Sequence, residues 1–119
     1  MIFAMTSERF RSEYRLRKGA DFARVYARRC SASDSLLLVF VLENGLPHPR
    51  LGLSVSKKVG NAVKRNRWKR LVREAFRLSR LELPTGIDMV VIPRAGAEPE
   101  LKPLRESLVR LAKRAAERL

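Results

Sequence analysis

Basic side chains are concentrated in one part of the sequence, between residues 57 and 80. This stretch contains a single acid, Glu74, against Lys57, Lys58, Lys64, Arg65, Arg67, Lys69, Arg70, Arg73, Arg77 and Arg80. Like charges at helical spacing destabilise a helix by about 0.2–0.5 kcal/mol per pair. A partner that neutralises them is the economical explanation, and phosphate groups do so while counterions are released. The run therefore predicts a surface that binds a polyanion, and charge alone leaves DNA, RNA and anionic membranes open.

Residues suited to hydrolysing a phosphodiester bond are not gathered anywhere in the sequence. Such chemistry usually needs carboxylates that hold a metal ion or a histidine acid/base pair. The acids are scattered, His48 is the only histidine and Cys30 is the only cysteine, so a Cys/His zinc cluster is excluded. Cys30 is interpreted as a small, half-buried apolar residue. We expect no catalytic residue and no metal ligand in this protein.

The composition is that of a folded domain with a large positive charge. The chain has 119 residues, with 26 Lys+Arg against 12 Asp+Glu and a formal net charge of +14. This length suits one domain, and a hydrophobic fraction of 45% is too high for a disordered basic tail. No apolar run approaches the ~20 residues of a membrane span. No signal peptide is evident either, because its apolar core needs ~7–15 residues. A cytoplasmic protein is therefore predicted.

The basic run lies in the longest of three predicted helices, over residues 61–81. The other helices are predicted from residue 19 and over residues 103–118, and strands over residues 30–33, 35–42, 51–56 and 87–93. Residues 1–15 are interpreted as a flexible basic arm of one domain that spans residues 1–119. The order is α-β-β-β-α-β-α, of the α+β class. The strand–helix–strand unit over residues 51–92 predicts two parallel strands within an otherwise antiparallel, four-stranded mixed sheet.

The long helix has an apolar stripe and a basic side. At 100° per residue the stripe comprises Trp68, Leu71, Val72, Ala75 and Phe76. Opposite them lie Asn66, Lys69, Arg70, Arg73 and Arg77. Trp68 continues the stripe, so it is predicted to be a core side chain rather than an exposed platform for bases. Helical spacing alone also favours a core position for Phe22 and Tyr26 in the first helix.

Residues 51–76, LGLSVSKKVGNAVKRNRWKRLVREAF, resemble the signature of the bacterial ribonuclease P protein subunit. The Arg-Asn-Arg core of that signature stands here at Arg65, Asn66 and Arg67. RLRKGADFARVY, residues 15–26, is similar to the first helix of the family, and VVIPRAGA, residues 90–97, to its last strand. The resemblance covers nearly the whole chain from Tyr14 onward. Trp68 departs from it, because the family more usually has an aliphatic residue there.

The resemblance implies a protein cofactor for a catalytic RNA that removes the 5′ leader from precursor tRNA. The partners would be this RNA and precursor tRNA, with no membrane and no obligate protein partner, and Mg²⁺ would be held chiefly by RNA. The implied catalytic-RNA-binding residues are Lys64, Arg65, Asn66, Arg67, Lys69, Arg70 and Arg73. The implied leader-binding residues are Phe22, Tyr26, Phe40, Ser54, Ser56, Lys57 and Asn61. Gly52, Ser54 and Ser56 are expected to form an open face that admits a nucleic-acid backbone.

The implied fold resembles the second domain of ribosomal protein S5, with a left-handed crossover around the basic helix. General statistics make such crossovers right-handed in ~98% of cases, yet the helix that carries the signature favours the family's geometry. Two alternatives stay open at this point. One is a structural or ribosomal RNA-binding protein of similar fold, and the other is a DNA-binding or membrane-surface cationic protein.

Overall fold

The computed structural model describes residues 12–17 and 19–119, and in this part of the chain three α-helices pack on a four-stranded sheet. The helices are α1 (Gly19–Arg28), α2 (Ala62–Ser79) and α3 (Leu101–Ala116). The strands are β1 (Cys30–Ser33), β2 (Leu37–Glu43), β3 (Arg50–Leu53) and β4 (Ile87–Pro93). The predicted order α-β-β-β-α-β-α is confirmed.

The sheet has the strand order β1-β2-β4-β3. β1 with β2 and β2 with β4 are antiparallel, whereas β3 and β4 are parallel. Met89 of β4 thus lies opposite Val41 on one side and Leu51 on the other. The mixed sheet predicted from the sequence is confirmed, with α2 as the crossover between its parallel strands. The left-handed sense of this crossover stays an expectation from the resemblance.

Each face of the sheet supports a separate apolar cluster. Odd-numbered residues of β2 and β4, such as Val39 and Met89, face α2 and α3 in the main core. Trp68 is fully buried in this core, so its predicted position is confirmed. The opposite face carries α1, whose Val25 packs against Val90 in a smaller cluster. α1 therefore lies on the other side of the sheet from the basic helix.

Several element boundaries differ from the sequence prediction; β2, for example, begins at Leu37 rather than at residue 35. β3 ends at Leu53, because Ser56 already begins a 3₁₀ turn over Lys57–Val59. α2 ends at Ser79, and the remaining predicted residues form a 3₁₀ turn over Arg80–Glu82. α3 begins at Leu101, two residues before Pro103. The first turn of a helix leaves its N–H groups without intrahelical partners, so a proline is tolerated there.

Residues 1–11 of the predicted flexible arm lie outside the described part, and its last four residues have a defined local structure. Ser12–Tyr14 form a 3₁₀ turn, and Arg15 makes a parallel bridge with Leu51. The N–H of Leu16 then donates to the carbonyl oxygen of Leu51 at 2.9 Å. A single turn followed by a single bridge leaves no periodicity in the sequence. That explains why the pattern suggested an arm.

Candidate nucleic-acid interface

The N-terminus of α2 is held by side chains from within the basic signature. Asn61 is the N-cap, and its Oδ1 accepts a hydrogen bond from the N–H of Lys64 at 2.9 Å. Gly60 before it has φ +152°, which favours glycine over other residues. The Arg65 guanidinium donates to the Gly60 carbonyl at 2.8 Å. Arg65, predicted as an RNA contact, therefore also fixes the turn that leads into the helix.

The basic side of α2 is partly exposed and partly bordered by the loop between β4 and α3. Asn66, Arg67 and Arg70 are exposed, whereas Lys64, Arg65, Lys69 and Arg73 are half-buried. The Nζ atom of Lys64 lies 3.0 Å from a carboxylate oxygen of Glu98. A guanidinium nitrogen of Arg67 lies 3.4 Å from the carbonyl oxygen of Pro99. An exposed ion pair contributes about 0–1 kcal/mol, and the Arg67 hydrogen bond is long. Both cations therefore remain accessible to a stronger anion.

The one acid of the basic run is neutralised by its own helix. Arg77 donates through two guanidinium nitrogens to the carboxylate of Glu74, one of them at 3.0 Å. This hydrogen bonding holds the pKa of Glu74 below its ordinary value, although partial burial acts in the opposite direction. Glu74 therefore does not offset the cations further along α2.

An aromatic cluster lies on the opposite side of the sheet, under α1. Phe22, Tyr26 and Phe40 pack around Val25 and Val90, and all three rings are half-buried. The rings of Tyr26 and Phe40 meet edge to face, with their centroids 5.1 Å apart. The three aromatic residues expected to bind the leader are thus brought together by α1 and β2. Their partial burial agrees with both the core interpretation and the cleft interpretation.

The open face expected along β3 is wrong at Gly52. A Cβ atom at this position would lie 2.8 Å from Cζ of Phe22 and 3.2 Å from Cβ of Leu16. The space beside Gly52 is therefore filled by the protein's own Phe22 ring. The space that was interpreted as room for a nucleic-acid backbone is occupied by an aromatic side chain.

The polar residues expected in the leader site follow β3 along the chain. Ser54 continues the strand by one hydrogen bond, from its N–H to the carbonyl oxygen of Val91 at 3.1 Å. Ser56 accepts from the N–H of Lys58 at 3.3 Å and thereby caps the short turn. Lys57 is exposed in that turn. Ser56 and Asn61 therefore have structural roles as caps, and the cluster of aromatic rings does not include them.

A groove of about 260 Å³ lies between α2 and the segment before α1. It is lined by Arg15, Leu16, Arg17, Phe22, Leu51, Leu53, Lys69 and Arg73. Sequence reasoning missed Arg15 and Arg17 as site residues because Arg15 fell in the supposed arm. The sequence did contain an indication of these residues, because Arg15 and Arg17 flank the apolar Leu16. In the structure Leu16 is buried and both arginines are exposed.

The described part of the chain offers neither a metal site nor a membrane span. Over residues 12–17 and 19–119, no three side chains of His, Cys, Asp and Glu come together in a way that could hold a metal ion. None of the helices described above is long and apolar enough to cross a bilayer.

Comparison with known proteins places the whole arrangement in one family. The family model for ribonuclease P matches residues 10–116, nearly the full chain. The chain belongs to the ribonuclease P protein family. Two curated relatives, both called ribonuclease P protein component, come from Alkaliphilus oremlandii and Brevibacillus brevis. The first is 39% identical and the match covers 84% of this chain and 89% of the relative, while the second is 41% identical with 86% and 82% covered.

Solved structures of ribonuclease P proteins share the fold. The Thermotoga maritima protein has a TM-score of 0.77 and 37% identity, with 84% of this chain and 96% of that one covered. The Staphylococcus aureus protein has a TM-score of 0.74 and 38% identity, with 84% and 93% covered. The chain therefore has the role of a ribonuclease P protein subunit, and its partner is the ribonuclease P RNA. The alternatives of a ribosomal, DNA-binding or membrane-surface protein are not favoured.

Proposed function

We propose that this protein holds precursor tRNA on the ribonuclease P RNA while the RNA removes the 5′ leader. One observation carries this proposal: side chains of the basic helix and of the aromatic cluster line the same groove. Lys69 and Arg73 of α2 and Phe22 of α1 are all among its lining residues. A surface that combines phosphate-binding cations with an aromatic ring suits single-stranded nucleic acid.

The basic side of α2 is the proposed contact to the catalytic RNA. Its residues are Lys64, Arg65, Asn66, Arg67, Lys69, Arg70 and Arg73. Arg67 and Arg70 are exposed and extend from a helix, so their guanidinium groups are available to phosphate oxygens. Lys64 first has to leave Glu98, which costs little because that carboxylate is mostly exposed.

The aromatic side is the proposed contact to the single-stranded leader. Phe22, Tyr26 and Phe40 would supply surfaces for bases, and Ser54, Ser56, Lys57 and Asn61 would supply polar groups along the path from β3 to α2. Ser56 and Asn61 already accept one backbone hydrogen bond each. Each retains further hydrogen-bonding capacity for a ligand.

The catalytic step is assigned to the RNA, which would also hold the required Mg²⁺. The hydrogen bonds of two aspartates explain why these carboxylates are not suited to bind this ion. Asp88 accepts from Arg50 at 2.7 and 2.8 Å and from Asn44 at 2.9 Å, and Asp34 accepts from Ser107 and Arg110. These carboxylates are committed to arginines and do not fit a magnesium site. We place the resulting ribonucleoprotein in the cytoplasm as part of the same proposal.

The test is cleavage of precursor tRNA with the catalytic RNA, the protein, or both, at physiological Mg²⁺. We expect rapid release of the 5′ leader only when both are present, because the protein adds binding and the RNA adds chemistry. Specific cleavage by protein rigorously freed of RNA would move the catalytic step to the protein. Failure of the protein to accelerate the RNA would contradict the proposed role.

A further inference from the structure

We propose that a groove between α3 and the end of α2 binds an acidic amphipathic helix of a protein partner. This groove, called the α3 groove, has a volume of about 740 Å³. It is lined by α3 from Leu101 to Lys113, and by Ser79 and Glu82 at and after the end of α2. The inference goes beyond the proposed function, because it gives the protein a second binding surface that takes no part in tRNA cleavage.

The α3 groove is partly apolar, and the elements that form it are linked. Leu101 and Val109 are half-buried and pack against the main core, so each still presents apolar surface to the groove. The Arg105 guanidinium donates to Oγ of Ser79 at 3.0 Å and to the carbonyl oxygen of Leu78 at 3.3 Å. These hydrogen bonds hold α3 against the end of α2. A groove that is already held in place needs little ordering when a ligand binds, which favours affinity.

Two lysines of the α3 groove are available to the acids of a ligand. Arg105 and Arg110 are each paired with an acid of the protein itself. Lys102 and Lys113 are exposed, and neither forms an ion pair or a hydrogen bond with residues 12–17 or 19–119. An acidic partner therefore complements the charge that the groove leaves unpaired.

The spacing of the two lysines indicates that the ligand is a helix. Lys102 and Lys113 both lie on α3. At 100° and 1.5 Å per residue they are about 20° apart around the helix and roughly 16 Å apart along it, or about three turns. Val109 lies between them on the same face. A ligand that reaches both lysines needs acids at this separation and apolar groups between them, and an amphipathic helix laid along α3 provides both.

Nucleic acid and a second copy of this chain suit the α3 groove less well. Glu82 and Glu106 are exposed carboxylates in its lining, and they repel phosphates. A second copy would have a net charge of +14, and each of its three described helices holds more cations than acids. The groove also begins at Ser79, about 18 Å along α2 from Arg67. A partner protein can therefore bind there while the basic helix contacts RNA.

The first test uses the full-length protein bound to its catalytic RNA, so that the basic helix is occupied. The probe is a fluorescent helical peptide with leucines on one face and two glutamates about three turns apart. We expect Lys102→Glu and Lys113→Glu each to weaken its binding about fivefold, because an attraction becomes a repulsion. The matched control is Arg114→Glu, which changes the net charge equally at an exposed position of α3 outside the groove and should bind like wild type.

A change of charge in the peptide tests the pairing itself. A peptide with lysine in place of one glutamate should bind wild type more weakly and regain affinity for Lys113→Glu or for Lys102→Glu. Equal weakening in Arg114→Glu and in the groove variants would reduce the effect to net charge and overturn the inference. Binding to wild type no tighter than that of a scrambled peptide would also overturn it.

The second test identifies what lies in the α3 groove inside the cell. A photoreactive amino acid in place of the exposed Glu106 crosslinks the group that contacts it. We expect a crosslink to an acidic amphipathic helix of another protein, and its loss when Lys102→Glu and Lys113→Glu are added. A crosslink to RNA, a crosslink to a second copy of this chain, or no crosslink at all would contradict the assignment.

Cleavage of precursor tRNA separates this inference from the proposed function. Lys102→Glu and Lys113→Glu should support cleavage at the wild-type rate, because neither residue belongs to the proposed RNA contacts. Loss of cleavage in both variants, but not in Arg114→Glu, would assign the α3 groove to RNA and overturn the inference while the proposed function stands. If the wild-type protein does not accelerate the RNA, the proposed function fails, and the peptide measurements still decide the inference.

Discussion

The ring of Tyr26 packs edge to face on the ring of Phe40, with centroids 5.1 Å apart and planes at 87°. Such a pair contributes about 0.5–1.5 kcal/mol beyond the area that it buries. Both rings are half-buried, so the contact fixes the orientation of Tyr26 while leaving part of it open to solvent. One side chain can therefore stabilise α1 on the sheet and still present a surface to a base.

Tyr26→Ala should weaken binding of precursor tRNA and leave mature tRNA unaffected. The expected loss is ~1–3 kcal/mol, the usual contribution of one base stacked on an aromatic ring. The measurement is the ratio of precursor to mature tRNA affinity in the presence of the catalytic RNA, together with a thermal melt.

The matched control is Tyr14→Ala, which removes the other tyrosine of the chain. Tyr14 packs against His48 and Arg80, away from the aromatic cluster, so its loss should lower stability without changing the ratio. If Tyr26→Ala lowered the melting temperature but kept the wild-type ratio, Tyr26 would be a core residue only.

Gly52→Ala should displace the Phe22 ring, since the added methyl carbon would lie 2.8 Å from Phe22 Cζ. Overpacking of this kind typically costs about 1–3 kcal/mol of folding stability. We also expect weaker leader binding, because the ring is moved from the groove that it lines. Gly19→Ala is the control, as a Cβ there has open space. Unchanged stability and leader affinity in Gly52→Ala would show that Phe22 can move at no cost.

Arg65→Ala and Arg70→Ala should differ, although both remove one positive charge from α2. Each phosphate contact that is lost should reduce the slope of log K against log salt by about one. Arg65→Ala should in addition cost about 0.5–1.5 kcal/mol of stability, because the hydrogen bond to the Gly60 carbonyl is lost. Salt titrations of RNA binding and denaturant unfolding separate the two effects. Identical stabilities for both variants would contradict the structural role of Arg65.

Asp34 should make the fold sensitive to acid. Burial raises the pKa of this carboxyl, but hydrogen bonds from Ser107 and from the N–H groups of Leu37 and Leu36, with the charge of Arg110, lower it below its ordinary value of 3.8. A lowered pKa in the folded state means that the contribution to stability is present above pH 3.8 and is lost as the pH falls through the folded-state pKa.

Asp34→Asn should therefore be less stable at neutral pH, by about 1–3 kcal/mol, and should lose less stability than wild type on acidification. Urea unfolding from pH 7 to below pH 3.8 measures both effects. Glu106→Gln removes an exposed carboxylate on α3 and should follow wild type. An Asp34→Asn variant with the wild-type pH profile would contradict this account.

The fold was predictable from the sequence wherever periodicity or composition carried the information. The buried run over residues 87–93 matched β4, and the apolar stripe through Trp68 matched the buried side of α2. The segment at residues 12–17 was not predictable, because its position depends on one bridge to Leu51 rather than on a pattern. Long-range pairing of this kind is set by tertiary contacts.

The candidate site was predictable in its residue types and less so in its geometry. The one-signed charge of α2 is visible in the sequence, but the pairing of Lys64 with Glu98 joins residues 34 positions apart. The Gly52 position was misinterpreted for a similar reason. A glycine within a strand indicates that another group lies close to the strand backbone. Only the structure shows that this group is the ring of Phe22.

The bridge between Arg15 and Leu51 also bears on how copies of this chain behave toward one another. β3 is an outer strand of the sheet, and outer strands with free backbone groups pair readily with strands of other molecules. Residues 15 and 16 occupy part of that edge. A version of the protein shortened to begin at α1 would expose it, and aggregation would then appear before any defect in RNA recognition could be measured.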